Sequence, residues 1–463
     1  MGAKLDVVVG AQYGSEAKGH LVADLAARRM KEGLNPLVVR VAGPNAGHTG
    51  YDHNGKPWAL RSVPVAAVVP GTITLAVAPG SELDPEVFLD EFDRLHEAGL
   101  MNDKFMVVSG EATVLTQEHK DSEAAQDLPG KVGSTGKGIG AARAARLMRT
   151  ARRVQDDEEF KDQLLRRLIL VLDAPKWEDF INEYLNEDHA AVIVEGTQGF
   201  ALGLHAGHYP QCTSSNTRAV DFLAMAGINP WQVGYHNLTA WVVARVYPIR
   251  VAGNSGPMKD ETSWAELGLP EELTTVTQKV RRVGGEDWDL VRRAVNANGA
   301  NRVVVALSMA DQKFPALAGE DVLDAQSLQW VQEVQDTLGV PVGWVGTGPN
   351  SHVWMPDDLL RDLSDWWIRQ AYEEVDGAIT KAVEYGSRDL EQMGDTVSWI
   401  TDLDMSDAEK TEFGIYWYAL GKMARWSNAV ERGVPVTEDT VADLGVYAKM
   451  VLRVREAGGW PGA

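Results

Sequence analysis

Residues Val7–Leu25, VVVGAQYGSEAKGHLVADL, decide the fold of this chain. The apolar run Leu5–Val9 predicts a buried strand, and the apolar positions from Leu21 onward predict a helix. A glycine-rich turn that carries Lys18 lies between them. A strand, such a turn and a helix N-terminus together form an anion site, because backbone N–H groups converge there and the helix dipole favours phosphate. The stretch therefore predicts a phosphate-binding loop.

The loop differs from two common nucleotide-binding loops. Gly19 follows Lys18, where a Walker A loop requires Ser or Thr, so an ordinary P-loop kinase or GTPase is not expected. The dinucleotide fingerprint G-x-G-x-x-G is also absent from this stretch, which argues against a Rossmann site.

Composition narrows the class of protein. The chain has 463 residues, of which 44% are hydrophobic and 24% charged, as in soluble globular proteins, and its length predicts two domains. The net charge of -22 argues against nucleic-acid binding, which needs clustered cations. A single cysteine excludes an internal disulfide and favours a reducing compartment. We find no signal-peptide or membrane-spanning pattern, so a cytoplasmic protein without membrane partners is expected.

Apolar runs alternate with helical patterns along most of the chain. A helix is expected to begin at Pro85, with Asp84 as its N-cap. This alternation predicts an α/β fold with a mainly parallel central sheet, whose ligands lie at the C-terminal ends of the strands. Further strands are expected at 37–41, 73–77, 106–109, 192–194 and 303–308.

Several sequence blocks carry a resemblance to a known family. GAQYGSEAKGHLVADL is similar to the first signature of adenylosuccinate synthetases, and the other blocks of that family follow in the same order. They are GPNAGHT (43–49), GSTGKGIG (133–140), EGTQG (195–199), CTSSNT (212–217), TTVTQKVRRVG (274–284) and GTGP (346–349). The resemblance implies a catalytic domain over residues 1–355 with that family's fold, including P-loop-like phosphate loops.

The family is a C–N ligase that works in two steps. The purine O6 attacks a γ-phosphate to give a 6-phosphoryl nucleotide, and the amino group of L-aspartate then displaces phosphate. Both steps build negative charge on oxygen, so they require cations and N–H donors placed in advance. The resemblance also implies Mg2+ as cofactor, held by the side chain at Ser15 and the backbone carbonyl of Gly47, and a homodimer.

The resemblance assigns roles to individual residues. Ser15, Lys18, His48 and Gln198 are the implied catalytic residues, with His48 as a general acid. Donor-nucleotide contacts are implied for Gly14, Glu16, Ala17, Lys18, Gly19, Gly47, His48, Thr49, Asp311, Gly346 and Gly348. Substrate-nucleotide contacts are implied for Ser15, Asn45, Ser134, Thr135, Arg149, Gln198 and Thr213. L-Aspartate contacts are implied for Thr277 and Arg281.

Ser15 departs from the family pattern. The usual residue is an aspartate that takes the N1 proton of inosine monophosphate (IMP) and ligates Mg2+. Serine at this position resembles the bacteriophage branch of the family, which acts on dGMP to make N6-succino-2-amino-2'-deoxyadenylate for 2-aminoadenine DNA. A small hydroxyl leaves room for the 2-amino group of guanine and can accept a hydrogen bond from it. The sequence therefore favours dGMP as substrate.

A second departure from the family pattern leaves the identity of the donor nucleotide open. Asp311 matches the family aspartate that binds the base of GTP, whereas Met309 replaces the lysine that packs on that base. The phage branch can use ATP or dATP, and ATP is the expected donor here.

An arginine cluster follows the GSTGKGIG block. Its near three-residue spacing predicts that the side chains line one helical face, either as a solvated basic face or as a phosphate site. In an acidic protein we favour phosphate binding, with Arg149 acting on the partner subunit's nucleotide. The cluster comprises Arg143, Arg146, Arg149, Arg152 and Arg153.

Residues 356–463 extend beyond the family pattern and are predicted to form an all-α extension. Three apolar stripes at helical spacing begin at Leu359, Phe413 and Leu444. Scattered carboxylates, including Glu373, Glu412 and Asp443, faintly resemble all-α nucleoside triphosphate pyrophosphohydrolases. A docking or oligomerisation bundle with solvated acidic faces is the favoured alternative.

Two other functions compete with the dGMP ligase. One is ordinary adenylosuccinate synthesis from IMP, L-aspartate and GTP. The other is a catalytically inactive nucleotide-binding regulatory protein, which would bind nucleotide without aspartate-dependent phosphate release.

Overall fold

The computed structural model describes residues 3–233, 237–273, 279–356, 392–399 and 404–457. The chain divides into two compact units, Met1–Pro356 and Asp357–Ala463. The site residues expected from the sequence all fall in the first unit.

A ten-stranded sheet forms the centre of the first unit. Its strand order is β17-β16-β15-β11-β1-β10-β2-β5-β7-β9, and all neighbours are parallel except the antiparallel edge pair β16–β17. The prediction of a mainly parallel α/β sheet is confirmed. The strands are β1 Lys4–Gly10, β2 Asn35–Arg40, β5 Ile73–Val77, β7 Lys104–Ser109, β9 Leu170–Leu172, β10 Ala190–Glu195, β11 Leu238–Arg245, β15 Val303–Ser308, β16 Val342–Gly348 and β17 Ser351–Trp354.

Strand β1 is mostly apolar because both faces of the sheet are covered, and its buried Asp6 is paired with Arg29. Leu5, Val7 and Val9 pack into the core on one face. Val8 points to the other face, where it packs with Leu21 of the following helix. The glycine-rich loop therefore follows the C-terminal end of a central strand that is buried from Leu5 to Gly10.

Helices cover both faces of the sheet. The predicted start at Pro85 is confirmed, with Asp84 in the N-cap position. The helices are α1 Lys18–Lys31, α2 Pro85–Glu97, α3 Gln117–Ala125, α4 Leu128–Val132, α5 Ile139–Leu147, α6 Glu158–Arg166, α7 Ala174–Asn186, α8 Ala219–Ala226, α9 Trp288–Ala297 and α10 Ala325–Leu338.

Short strands outside the main sheet shape the loops around its C-terminal edge. Strands β3 and β4 form a hairpin that begins at the GPNAGHT block. These strands are β3 His48–Tyr51, β4 Pro57–Leu60, β6 Glu82–Leu83, β8 Thr113–Val114, β12 Ile249–Arg250, β13 Glu261–Thr262 and β14 Arg282–Gly284.

The second unit contains two long helices, α11 Asp407–Glu431 and α12 Glu438–Ala457. They pack antiparallel around Ile415 and Val454, and the Glu412–Arg455 and Lys422–Asp443 ion pairs link the two helices. Helices at the second and third predicted apolar stripes are thus confirmed. The first stripe, and Glu373 with its neighbours, lie outside the described residues.

No helix among the described residues has the length and apolar content needed to cross a bilayer.

Candidate active site

The loop after β1 is built around a buried ion pair. Lys18 Nζ donates to Glu16 Oε2 at 2.7 Å and to the Gly14 carbonyl at 3.0 Å, and both charged side chains are 1% exposed. Glu16 Oε1 accepts hydrogen bonds from the backbone N–H groups of Gln12 and Gly14. The Glu16 carboxylate therefore occupies the cradle that the loop forms, and it holds the Lys18 ammonium at the start of α1.

Two glycines of this loop are required by close approach. A Cβ on Gly10 would lie 2.5 Å from Glu16 Oε2, and a Cβ on Gly19 would lie 2.6 Å from the Cβ of His48. The Gly19 contact brings the first turn of α1 directly against His48. Lys18 and His48, distant in sequence, thereby become neighbours.

His48 belongs to a buried charge cluster. Its Nδ1 lies 2.6 Å from Glu195 Oε1, and the Arg40 guanidinium contacts the same carboxylate oxygen. The other Glu195 oxygen accepts from the Val65 N–H at 3.0 Å. Arg40 also donates to the Ala46 carbonyl at 2.8 Å, so it ties the GPNAGHT loop to the end of β2.

The cluster sets the protonation of His48. Burial, together with the positive charge of Arg40, lowers the pKa of His48 from its usual 6.5 to about 4. Burial alone would raise the pKa of Glu195, but the Arg40 charge and the hydrogen bond from His48 hold it below its usual value. Because an ionised Glu195 can only accept, we assign the imidazole proton to Nδ1. His48 is therefore neutral near pH 7, with Nε2 unprotonated.

Gln198 lies beside the first loop. A Cβ on Gly14 would come within 3.2 Å of the Gln198 Cα, and Gln198 itself has a left-handed backbone with φ of 62°. That conformation is uncommon for a side-chain-bearing residue and is often found at functional sites. The blocks at 10–19, 43–49 and 195–199 thus meet at one edge of the sheet.

Ser15 and Arg281, which are 266 residues apart in the sequence, also meet here. Arg281 Nη1 donates to Ser15 Oγ at 2.7 Å, and its Nε donates to the Leu273 carbonyl at 3.2 Å. Next to it, Glu272 accepts from the buried Arg245. The predicted aspartate-binding arginine therefore touches the predicted base-recognition serine. The other predicted aspartate contact, Thr277, lies outside the described residues.

The GSTGKGIG block is held by a buried carboxylate. Glu123 is 3% exposed and accepts from the backbone N–H groups of Gly138 and Gly140 at 2.9 and 2.8 Å. Ser134 is half-buried and Thr135 is exposed, so the Thr135 hydroxyl is accessible to a ligand.

The predicted arginine face is wrong beyond Arg146. Helix α5 ends at Leu147, and Arg149 is exposed with a left-handed φ of 65°. Arg143 instead forms a bidentate pair with Glu82, at 2.7 and 3.1 Å. Three of the other arginines also pair with carboxylates: Arg146 and Arg153 with Glu111, and Arg152 with Asp157. The arginines are therefore mostly neutralised by carboxylates rather than aligned as one basic surface.

Asp311 carries an unsatisfied acceptor. Its Oδ1 is buried and has no hydrogen-bond partner among the described residues, and burial raises the pKa of its carboxyl. Met309, two residues earlier, has a left-handed φ of 60°. A buried acceptor without a donor is costly unless a ligand supplies the donor. This supports a ligand at the predicted donor-base position.

The remaining predicted residues lie on loops or strand ends of the same unit. Asn45 and Thr213 are half-buried, Gly47 and Thr49 are exposed, and Ala17 is the left-handed N-cap of α1. Gly348 ends β16 and Gly346 lies two residues before it, on a strand that neighbours β15 and the turn that carries Asp311.

Sequence reasoning missed Arg40 and Glu195 as site residues. Both are charged residues that end apolar strands, β2 and β10, whose last residues are paired in the sheet. A charge that ends a buried strand was the available signal, since ligands bind at that edge. Their contact with His48 could not be read from local sequence.

Comparison with known proteins gives concordant results. The family model of adenylosuccinate synthetase matches residues 7–177 and 171–316. The adenylosuccinate synthetase of Pyrococcus sp. (strain ST700) is 34% identical over 350 residues, 74% of this chain and 95% of that protein. The Methanococcus aeolicus enzyme is 33% identical over 352 residues, 75% and 97% of the two chains.

Two of the solved structures that resemble the chain each have a TM-score of 0.62 to it. One is the succinoaminodeoxyadenylate synthetase of cyanophage S-2L bound to dGMP and dATP as an energy donor, 28% identical over 75% of this chain and 93% of that one. The other is the fully ligated adenylosuccinate synthetase of Plasmodium falciparum, covering 76% of this chain and all of that one. At 19% identity the second likeness concerns the fold alone.

Proposed function

The chain belongs to the adenylosuccinate synthetase family, and we propose that within it the enzyme joins dGMP to L-aspartate. The product is N6-succino-2-amino-2'-deoxyadenylate, and ATP or dATP is split to the diphosphate and phosphate. The observation that carries this proposal is Ser15, which stands where the family uses an aspartate and whose hydroxyl is held by Arg281. The likeness to a cyanophage synthetase bound to dGMP and dATP supports it.

Ser15 suits guanine for a physical reason. A carboxylate at this position would crowd the purine edge, whereas the hydroxyl is small and half-buried. The Ser15 oxygen has two acceptor sites, so it can receive hydrogen bonds from Arg281 and from an exocyclic amino group at once. Hypoxanthine lacks that amino group, which is why Ser15 favours dGMP over IMP.

Ser15 is a poor base, so negative charge on guanine must be stabilised in another way. As O6 takes the γ-phosphoryl group, the bond from the γ-phosphorus to the bridging oxygen breaks and the diphosphate leaves, while the N1 proton passes to solvent water. The Arg281 guanidinium, 2.7 Å from Ser15 Oγ, would stabilise the electron-rich purine edge. Its remaining donors can hold a carboxylate of L-aspartate, whose amine then attacks C6 and releases phosphate.

His48 and Lys18 act on the phosphate. In the free enzyme His48 is neutral, and its accessible role is to accept at Nε2. The negative charge of a bound triphosphate raises a histidine pKa, which shifts His48 toward the imidazolium that a general acid requires. The Lys18 ammonium, freed from Glu16 or shared with it, would neutralise phosphate oxygens.

Mg2+ fits this site in a limited way. The Gly47 carbonyl is a neutral oxygen ligand of the kind Mg2+ accepts, and the Gly47 backbone is exposed. Ser15 Oγ could ligate the ion only in place of one of the two hydrogen bonds assigned to it above. Without a carboxylate at position 15, phosphate oxygens must supply the negative charge around the ion. When bound, Mg2+ would neutralise charge on the transferring phosphate.

We further propose residues 1–355 as the catalytic domain of a cytoplasmic homodimer, in which Arg149 acts on the partner subunit's nucleotide. The extension 356–463 is proposed as a docking or oligomerisation bundle. Its described carboxylates Glu412 and Asp443 pair with Arg455 and Lys422, which weighs against a pyrophosphohydrolase site there.

The second candidate is adenylosuccinate synthesis from IMP with GTP. The identity of about a third to archaeal adenylosuccinate synthetases favours it. A regulatory protein that binds nucleotide without catalysis is the third reading.

Phosphate release separates these functions. The purified chain is assayed with ATP, Mg2+ and L-aspartate, with dGMP or IMP as the acceptor, and the product mass is measured. Phosphate release is expected with dGMP and not with IMP. Activity with IMP alone, tested with both ATP and GTP, would refute the proposal, and nucleotide binding without release would favour the regulatory protein.

A substitution tests the role of Ser15 directly. Ser15→Asp should lower the rate with dGMP at least tenfold and raise the ratio of the IMP rate to the dGMP rate. Ser406→Asp is the matched control, because it adds the same charge at an exposed helix N-cap where Asp also caps. Unchanged dGMP activity in Ser15→Asp would contradict the assignment.

A further inference from the structure

His20, Asp24 and His352 form a compact cluster on the first unit, outside the residues assigned above. Their potential ligand atoms all lie within 4.8 Å of one another, and within the described part of the chain this is the one such group of His, Cys, Asp or Glu. We propose that this cluster is a binding site for a transition-metal ion of the Zn2+ class.

The fold brings the three ligands together. His20 and Asp24 are four residues apart on α1, so they project from the same helical face. His352 lies on the antiparallel edge strand β17, which crosses beside that face. His352 Nδ1 is 2.8 Å and His20 Nε2 3.5 Å from Asp24 Oδ2, spacings that a bound ion could adjust to its own bond lengths.

A second layer of side chains orients the ligands. Trp344 Nε1 donates to Asp24 Oδ2 at 2.9 Å, and the Trp344 ring stacks on His352 at 5.9 Å between centroids. The His20 ring meets Trp344 edge-on at 5.2 Å. Hydrogen-bonded and ring-packed ligands are typical of built metal sites, because the outer contacts fix the orientation of each ligand.

The donor set selects the metal class. Two imidazole nitrogens and one carboxylate oxygen suit Zn2+, Ni2+, Co2+ or Cu2+, whereas Mg2+ and Ca2+ prefer oxygen ligands alone. The site is therefore chemically distinct from the Mg2+ position proposed beside Ser15. Three protein ligands leave a fourth position for water.

The cluster lies next to the start of α1, so a bound ion would affect the structure there. Helix α1 begins at Lys18, two residues before His20, and Gly19 packs against His48. An ion bound to both α1 and β17 would fasten the start of this helix to the edge of the sheet. Metal binding is thus expected to stabilise the loop that carries Lys18.

Without a metal, the same contacts would form a hydrogen-bonded hub around Asp24. A metal site and a metal-free hydrogen-bonded cluster are distinguished by whether the protein binds metal ions. Zn2+ and Co2+ are titrated into the full chain without a histidine tag, after chelator treatment, using calorimetry and the visible absorption of Co2+. One ion per chain is expected, with a rise in the unfolding temperature that Mg2+ does not reproduce.

Substitutions of the proposed ligands test where the ion binds. His352→Gln, on a half-exposed side chain, and Asp24→Asn should each weaken Zn2+ binding at least about tenfold. His189→Gln removes an exposed histidine elsewhere and should bind as the wild type does. Absence of stoichiometric binding, or equal affinity in wild type and folded His352→Gln, would overturn the proposal. Because neither readout depends on catalysis, the outcome is independent of the substrate.

Discussion

Lowering the pH from 7 to 5 should destabilise the first unit through His48 by about 2 kcal/mol. In the folded chain burial and Arg40 lower the pKa of His48 to about 4, from the 6.5 of an ordinary histidine. The unfolded chain therefore binds a proton between pH 6.5 and 4 that the folded chain does not. Since the unfolded state binds more protons there, stability falls as the pH falls through this window.

The magnitude follows from the two pKa values. At pH 7 both states are mostly deprotonated at this histidine and the cost is small. At pH 5 the unfolded imidazole is almost fully protonated while the folded one is not, which gives about 2 kcal/mol. The full difference, reached below pH 4, is about 3 kcal/mol.

The assay is urea unfolding of wild type and His48→Asn at pH 7 and pH 5 at constant ionic strength. Asparagine keeps a donor for Glu195 but does not titrate, so acid should destabilise the variant about 2 kcal/mol less than the wild type. His189→Asn, an exposed position, should follow the wild type. An equal acid loss in wild type and His48→Asn would refute the buried, neutral histidine.

Three further changes probe the site. Glu195→Gln leaves the buried Arg40 guanidinium uncompensated and should lower the free energy of unfolding in urea by about 3–5 kcal/mol. The control Glu261→Gln, at a half-exposed ion pair, should lower it by under about 1 kcal/mol. Equal losses of stability in the two variants would contradict the buried charge cluster. Asp311→Leu removes the acceptor at similar volume and should weaken ATP and dATP binding about tenfold in a calorimetric titration; unchanged affinity would remove Asp311 from the donor site. Gly19→Ala should cost about 1–3 kcal/mol because its Cβ would lie 2.6 Å from His48; wild-type stability would show that the contact can relax.

Structural features that depend on residues close together in the sequence were predicted well. The apolar run before Gly10, the loop and the helix after Lys18 all form as expected, because each is set by local pattern and turn chemistry. The start of α2 at Pro85 was predictable for the same reason.

Long-range pairing was not predictable in this way. Glu195 meets His48 across 147 residues and Arg40 across 155, and nothing local to any of them indicates a partner. The arginine face failed for a different reason. Helix α5 ends at Leu147 and the chain turns left-handed at Arg149, although no glycine or proline marks the end.

The central position of β1 has a consequence for how this protein is made. Gly10 pairs with Val243, so the strand that precedes the glycine-rich loop gains its last neighbour only after more than two hundred further residues have been translated. At about 5–20 residues per second the ribosome needs roughly 10–45 s for that stretch. During this time the apolar β1 segment has no sheet partner on that side, which makes the nascent chain a natural client for chaperones. Folding should be slow and late, because such non-local parallel pairing must close long loops first.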